Sequence, residues 1–344
     1  MLKSVSSLKR RSIFDRSSTL ITMNDNNIEK INLEDYTMEF KIGKANSGYI
    51  YICKNIKTNK LYFMKILKKA KLLQNKNSEH ITNEYLILSS TFHPFIIDLK
   101  GINNTNPITL NFVYEYVPGG NLNTLLKTQK RLSIDSSRFY LASIITALDY
   151  LHKKNIIYRY LMPQNILIMK NGYIKLSEFG LSKKMENEMT FTMCGSPEYY
   201  SPEMINKTGH NKSIDFWQLG ILLYEMLLGY PPFIDSDPIQ LYKKINKGKI
   251  NFPKDFNKYA KNIIKQFLKV DMNKRLGCTK RGIYEIILHP FYKDFNWEDL
   301  LHRKLKPPII PKMPKISIKS NNYNLYEDFN EMVSKENDPF YNWS

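Results

Sequence analysis

A lysine, Lys65, stands inside a strand-like run, Tyr62-Phe63-Met64-Lys65-Ile66, and a glutamate, Glu84, follows in a helix-like stretch, Asn83-Glu84-Tyr85-Leu86. An amine that holds the α- and β-phosphates of a nucleotide must be aimed by a carboxylate, and a strand followed by a helix can supply that pair. The alternative is two unrelated surface charges. Upstream, Gly43-Lys44-Ala45-Asn46-Ser47-Gly48 sits between two strand patterns. A Rossmann turn or a Walker loop would feed a helix N-terminus. The remaining functional reading is a glycine hairpin laid over phosphates, which an ordinary hairpin with two glycines can imitate.

Such residues need a sheet and a helix to hold them. From 36 to 67 short apolar–polar runs alternate, with turn residues at 44–48 and 55–60, which predicts an antiparallel meander. A helix is expected over 78–90, then strands near 96–101 and 108–115. After Pro118-Gly119-Gly120 the apolar spacing becomes helical, over 134–154, Ser213–Leu228, Pro238–Lys247 and 258–269. A β-rich lobe therefore precedes an α-rich one, and 344 residues suffice for both. Clefts between lobes favour ligands.

Composition narrows the class. Apolar content of 42% with abundant Tyr and Phe fits a folded protein. Three unpaired cysteines, Cys53, Cys194 and Cys278, point to no disulfide framework or zinc site and fit a reducing, cytoplasmic setting. The most apolar stretch, 217–233, is interrupted by Gln218, Glu225 and two glycines and reads as a core helix, not a membrane span. The start, Met-Leu-Lys, carries neither a myristoylation glycine nor a signal-peptide core. The formal charge of +19 is spread through helices rather than gathered on one arm, so nucleic acid is not the expected partner. Lys9-Arg10-Arg11-Ser12 is the exception, in a polar segment expected to be disordered; it resembles a phosphorylation site for a basophilic kinase, at Ser12.

Tyr158-Arg159-Tyr160-Leu161-Met162-Pro163-Gln164-Asn165, Ser177-Glu178-Phe179-Gly180, Met193-Cys194-Gly195-Ser196-Pro197-Glu198 and Asp215-Phe216-Trp217 occur in the order of protein-kinase motifs. The chain resembles the AGC group of protein kinases, in particular the cyclic-AMP- and cyclic-GMP-dependent enzymes. The resemblance implies an α+β bilobal fold: a small antiparallel-β N-lobe with one main helix, a larger α-helical C-lobe and an AGC-type C-terminal tail. Expected boundaries are 1–35 for the basic N-terminal tail and 36–291 for the kinase-like domain. Within the latter, 36–115 is the N-lobe, 116–121 the hinge and 122–291 the C-lobe; the tail takes 292–344.

The resemblance also implies a site. Ile42, Gly43, Gly48, Ile50, Phe63, Lys65, Glu115, Val117 and Leu167 would surround ATP, and Asn165 and Glu178 would hold Mg2+. Glu203 would pair with Arg275, Asp215 would anchor the catalytic loop, and Leu88, Tyr158 and Phe179 would form a hydrophobic stack. Thr192 takes the activation-segment phosphosite, with His80, Arg159 and Lys183 to grip its phosphate. Tyr326-Glu327-Asp328-Phe329 resembles the tail segment that crosses the nucleotide cleft, and Phe340 and Trp343 its terminal anchor.

Several positions depart from that pattern. Tyr160 replaces the aspartate that orients the acceptor hydroxyl, and Met162 the lysine that neutralises the migrating phosphoryl group. Glu178 lengthens the metal carboxylate by about 1.5 Å. Phe63 is bulky where the adenine roof is small, and Ala45 adds a Cβ in the glycine loop. Asn121 and Gln164 replace glutamates that grip substrate arginines, leaving Glu225. Together these predict a pseudokinase with weakened ATP and Mg2+ binding, serving as a partner of a regulatory subunit, an active kinase or a kinase substrate. The alternative is an active serine/threonine kinase with rewired metal and base residues. A third reading is a decoy for a regulatory subunit.

Overall fold

The computed structural model describes residues 28–45, 47–75, 77–313 and 331–343. The expectations for Ser12 and for Tyr326 to Phe329 lie outside them. Among the described residues the chain divides into two compact units, one built from residues 28–92, 97–118, 313 and 331–343, the other from 93–96 and 119–312.

The smaller unit carries a six-stranded sheet in the order β1-β5-β6-β4-β3-β2. Its strands are β1 (Glu29–Lys30), β2 (Tyr36–Ala45), β3 (Gly48–Asn55), β4 (Leu61–Lys68), β5 (Leu99–Asn103) and β6 (Thr109–Glu115). The predicted meander is β2-β3-β4, antiparallel throughout. Tyr51, Cys53, Met64, Ile66 and Val113 form a buried cluster on one face, as period-two alternation requires. Two helices follow β4, α1 (Lys69–Gln74) and the main helix α2 (Ser78–Ser89).

Two local expectations shift. Order begins ahead of residue 36, because Glu29 and Lys30 pair in parallel with Gly101 and Ile102. The strand expected at 96–101 starts at Leu99 instead. Ile96 belongs to the larger unit, where it bridges Leu176, and the Phe95 carbonyl accepts from the Leu176 amide at 2.8 Å. Apolar character at Ile96 and Ile97 is therefore spent on two different cores.

The C-terminal residues close the smaller unit. Phe340 is fully buried, and the Trp343 ring stacks on Tyr85 at 4.5 Å with 3° between planes. Asn104 Nδ2 donates to the carbonyls of Phe340, Tyr341 and Trp343 at 2.9–3.1 Å.

The larger unit is mostly helical: α3 (Leu122–Gln129), α4 (Ile134–Lys153), α5 (Pro202–Ile205), α6 (Ser213–Leu228), α7 (Pro238–Lys247), α8 (Lys258–Phe267), α9 (Ile283–Ile287) and α10 (Trp297–Leu301). Gly229 ends α6 with φ +88°, a conformation glycine adopts freely. The helix expected over 258–269 stops two residues early, at Leu268, which leaves helical geometry (ψ 40°) and buries its side chain. No helix among the described residues is long and apolar enough to cross a membrane.

Candidate active site

In the smaller unit, Gly43, Ile50 and Lys65 lie in one row across β2, β3 and β4. Lys65 Nζ donates to Glu84 Oε2 at 2.9 Å, and the Tyr114 hydroxyl donates to Glu84 Oε1 at 2.6 Å. Both charged side chains are nearly buried, at 9% and 4% exposure. An ion pair so placed is retained where geometry matters, since burial makes either charge costly alone. Tyr114 carries no motif signal, and its role is visible only in three dimensions.

Gly48 is fixed by packing: a Cβ there would meet the Ile66 carbonyl oxygen at 1.9 Å. Ile42 sits in a bulge of β2 and is half exposed. Phe63 neighbours Lys65 on the same strand face, and its ring meets Tyr116 edge-on at 5.1 Å. Glu115 Oε1 accepts from the Asp98 amide at 2.8 Å, and Val117 is buried.

The larger unit holds residues 158–165 rigidly. Asp215 at the first turn of α6 accepts from the Tyr158 and Arg159 amides at 3.0 and 2.8 Å, and from His152 at 2.7 Å. Gln218, one turn on, accepts from the Leu161 amide and donates to the Arg159 carbonyl. Arg159 itself adopts φ +65°. The buried Asn165 donates Nδ2–H to the Tyr160 carbonyl at 2.8 Å, which leaves its Oδ1 as an acceptor-side ligand. Ser177 binds the Asn165 carbonyl through both its amide and its hydroxyl, holding the next residue, Glu178, close to Asn165. Glu178 is exposed and left-handed, with φ 57°. Tyr158 and Phe179 pack at 5.2 Å. Leu88, a residue of the smaller unit, is buried.

Tyr160 is half-buried and Met162 partly exposed; Leu167 bridges to Asn121. Burial pushes the Tyr160 phenol above its usual pKa, and the nearby Glu178 carboxylate and Cys194 add to the shift. A phenol with a raised pKa is neutral at physiological pH.

Other expected groupings come together only in part. Thr192 is exposed, whereas Lys183 Nζ donates to Thr190 Oγ1 at 3.0 Å and Arg159 Nε donates to the Leu181 carbonyl at 2.6 Å. His80 belongs to the smaller unit. Asn121 is an N-cap, accepting from the Thr124 amide at 2.9 Å, and Gln164 is exposed. Glu225 accepts from the Tyr199 hydroxyl, and burial raises its pKa. Glu203 and Arg275 form the expected pair through two hydrogen bonds of 2.7 and 2.9 Å. Burial pushes the Glu203 carboxyl up, but Arg275 outweighs it and holds that carboxyl below the usual range.

The donors fit a cation that arrives with phosphate. No group of three or more His, Cys, Asp or Glu among the described residues is placed to hold a metal. Asn165 and Glu178 offer one amide and one carboxylate oxygen, which suits Mg2+ completed by water and phosphate oxygens. The Lys65 ammonium, aimed by Glu84, suits the phosphates themselves.

A sequence model of the protein kinase domain matches residues 36–292. The chain is 42% identical over 310 residues to a cAMP-dependent protein kinase catalytic subunit of Dictyostelium discoideum, covering 89% of this chain and 47% of that protein. It is 41% identical over 284 residues to catalytic subunit 3 of Drosophila melanogaster, covering 83% and 48%. With the human catalytic subunit PRKX it shares 40% over 281 residues, covering 82% and 78%. The chain thus spans about half the length of the first two relatives. It belongs to the protein kinase family, as an AGC-type domain closely related to the catalytic subunits of cAMP-dependent protein kinase.

Proposed function

We propose that this chain is a serine/threonine protein kinase domain that binds ATP with Mg2+ and transfers phosphate to protein hydroxyls at a much reduced rate. The observation that carries the proposal is the buried Lys65–Glu84 pair, made in the arrangement that phosphate binding needs. The clamped loop before Asn165 and the short link through Ser177 to Glu178 support the metal side. ATP supplies the phosphoryl group; the chain's residues orient it and balance its charge. Phosphoryl transfer has a loose transition state that asks little of a base, so a chain without a loop carboxylate retains some turnover. Loss of a general base slows transfer by about 10²–10⁴-fold. Phe63 against Tyr116 weakens adenine binding. The boundaries 36–291 for the domain and 292–344 for the tail belong to the same proposal.

A second reading is favoured by one observation, the pairing of a neutral phenol at 160 with a thioether at 162. On it the domain is a pseudokinase that works by binding a regulatory subunit, an active kinase or a substrate of one. The two separate in a radiolabelled-phosphate transfer assay on protein free of other kinases, beside a Lys65→Ala control. Slow, Lys65-dependent transfer well below about 1 s⁻¹ is expected. No Lys65-dependent transfer sinks the kinase reading, and turnover near that rate sinks the claim of impairment.

A further inference from the structure

Tyr160 is placed with unusual firmness for a loop residue. The backbone on its N-terminal side is fixed by Asp215, the next residue by Gln218, and its own carbonyl by Asn165. Its ring lies along Gly195, where an added Cβ would come within 3.7 Å of Tyr160 Cδ2. Its ionisable neighbours are Glu178 and Cys194. Its hydroxyl has no hydrogen-bond partner among the described residues; of the candidate metal ligands in the same unit, Asn165 donates to the Tyr160 carbonyl and the Glu178 carboxylate is near enough to raise the phenol's pKa.

The length of the side chain then matters more than its lost charge. A phenol oxygen stands about 3 Å farther from the backbone than a carboxylate oxygen on the same Cα. An alcohol hydrogen-bonded to such a carboxylate would hold its own oxygen about 2.7 Å beyond it. The two oxygens would stand at comparable distances from the backbone. At the position where the family resemblance implies a hydroxyl-orienting carboxylate, this chain carries a hydroxyl whose reach matches that of an acceptor held by such a carboxylate.

We infer that Tyr160 is itself a phosphoryl acceptor: with ATP and Mg2+ bound as proposed above, on which this inference rests, the chain phosphorylates its own catalytic loop. The Tyr160 oxygen forms a bond to the γ-phosphorus, the bond from that phosphorus to the β–γ bridging oxygen breaks, ADP leaves, and the phenol proton passes to solvent. No further reactant is needed. An acceptor held on the loop gains the advantage of an intramolecular reaction, which offsets a poor nucleophile. The same hydroxyl competes with any external alcohol, a second reason for slow transfer to protein. It also makes the step self-limiting, because a phosphorylated loop has no free acceptor left.

The test uses the whole chain, phosphatase-treated and then incubated with ATP and Mg2+, with phosphopeptides mapped by mass spectrometry. The expected product is one phosphate per chain on Tyr160, formed at a rate independent of protein concentration and absent in Lys65→Ala and Tyr160→Phe. Nucleotide binding is read separately as the thermal shift of Tyr160→Phe with ATP and Mg2+. A shift there with no phosphate on Tyr160 in the wild-type chain overturns the inference and leaves the kinase reading standing. No shift in either chain removes both. Labelling that scales with protein concentration, or persists in Lys65→Ala, assigns the phosphate to another molecule and overturns the intramolecular step.

Discussion

Tyr160 and Met162 flank Leu161, whose amide Gln218 fixes, so substitutions at either position act on a scaffold that stays in place. Tyr160→Asp removes the hydroxyl inferred above to compete and supplies a carboxylate. Transfer to an exogenous protein substrate should rise about 10²–10⁴-fold, read as initial rates of labelled-phosphate incorporation. Met162→Lys adds positive charge near the same transition state, so its gain combined with Tyr160→Asp will not be the product of the separate gains. Unchanged rates in the double variant would mean that the loop is not what limits transfer. Phe63 is a binding question instead. Its ring is propped by Tyr116 at 5.1 Å, on the strand face it shares with Lys65. Phe63→Ala should tighten ATP binding about tenfold, or roughly 1.4 kcal/mol, by titration calorimetry. Weaker binding would make the phenyl ring a wall of the adenine site.

At the scale of elements, helix α1 is tied to the C-terminal residues by a pair far apart in sequence. Lys69 Nζ meets Asp338 Oδ2 at 2.5 Å with both side chains sealed from solvent, and also donates to the Asn104 carbonyl. Removing one partner strands a buried charge, so Asp338→Ala should destabilise the smaller unit by about 3–5 kcal/mol. The double variant Lys69→Met/Asp338→Leu should recover most of that loss in urea unfolding; additive losses would refute the coupling. Nothing local in the sequence announces this pair, because it follows neither a helical nor a strand period. The helices Ser213–Leu228 and Pro238–Lys247 were legible to the residue, since apolar spacing and a following glycine mark both ends. Of the candidate site, the Lys65–Glu84 pair could be read from strand-then-helix order. The hidden parts depend on tertiary neighbours: Tyr114 on Glu84, Asn121 used as a cap, and Thr190 rather than Thr192 on Lys183.

Across the whole molecule, a formal charge of +19 makes every additional proton unwelcome, and three histidines are built to refuse one. His93 and His289 each open a His-Pro-Phe sequence, and in both the ring Nδ1 accepts the amide of the phenylalanine at 3.1 Å. That hydrogen bond requires the nitrogen to be unprotonated. Burial, followed by Lys175 and Arg303, lowers His93 to about 3; burial lowers His289 to about 4. His210 falls to about 4, through burial and then Arg159, against the opposing pull of Glu203 and Asp215. In the unfolded chain each titrates near 6.5. As pH falls through that value the unfolded chain takes up protons that the folded one rejects, so stability drops, and continues to drop until about pH 3 to 4. For His93 alone the loss between pH 7 and pH 5 is on the order of 2 kcal/mol. All three residues lie in the larger unit, so its unfolding temperature should decline steadily from pH 7 to pH 5, and more steeply at low salt, where self-repulsion is less screened. Calorimetric scans across that range check it, with His93→Gln expected to flatten the slope. A melting temperature independent of pH between 7 and 5 would show that these rings accept protons in the folded state.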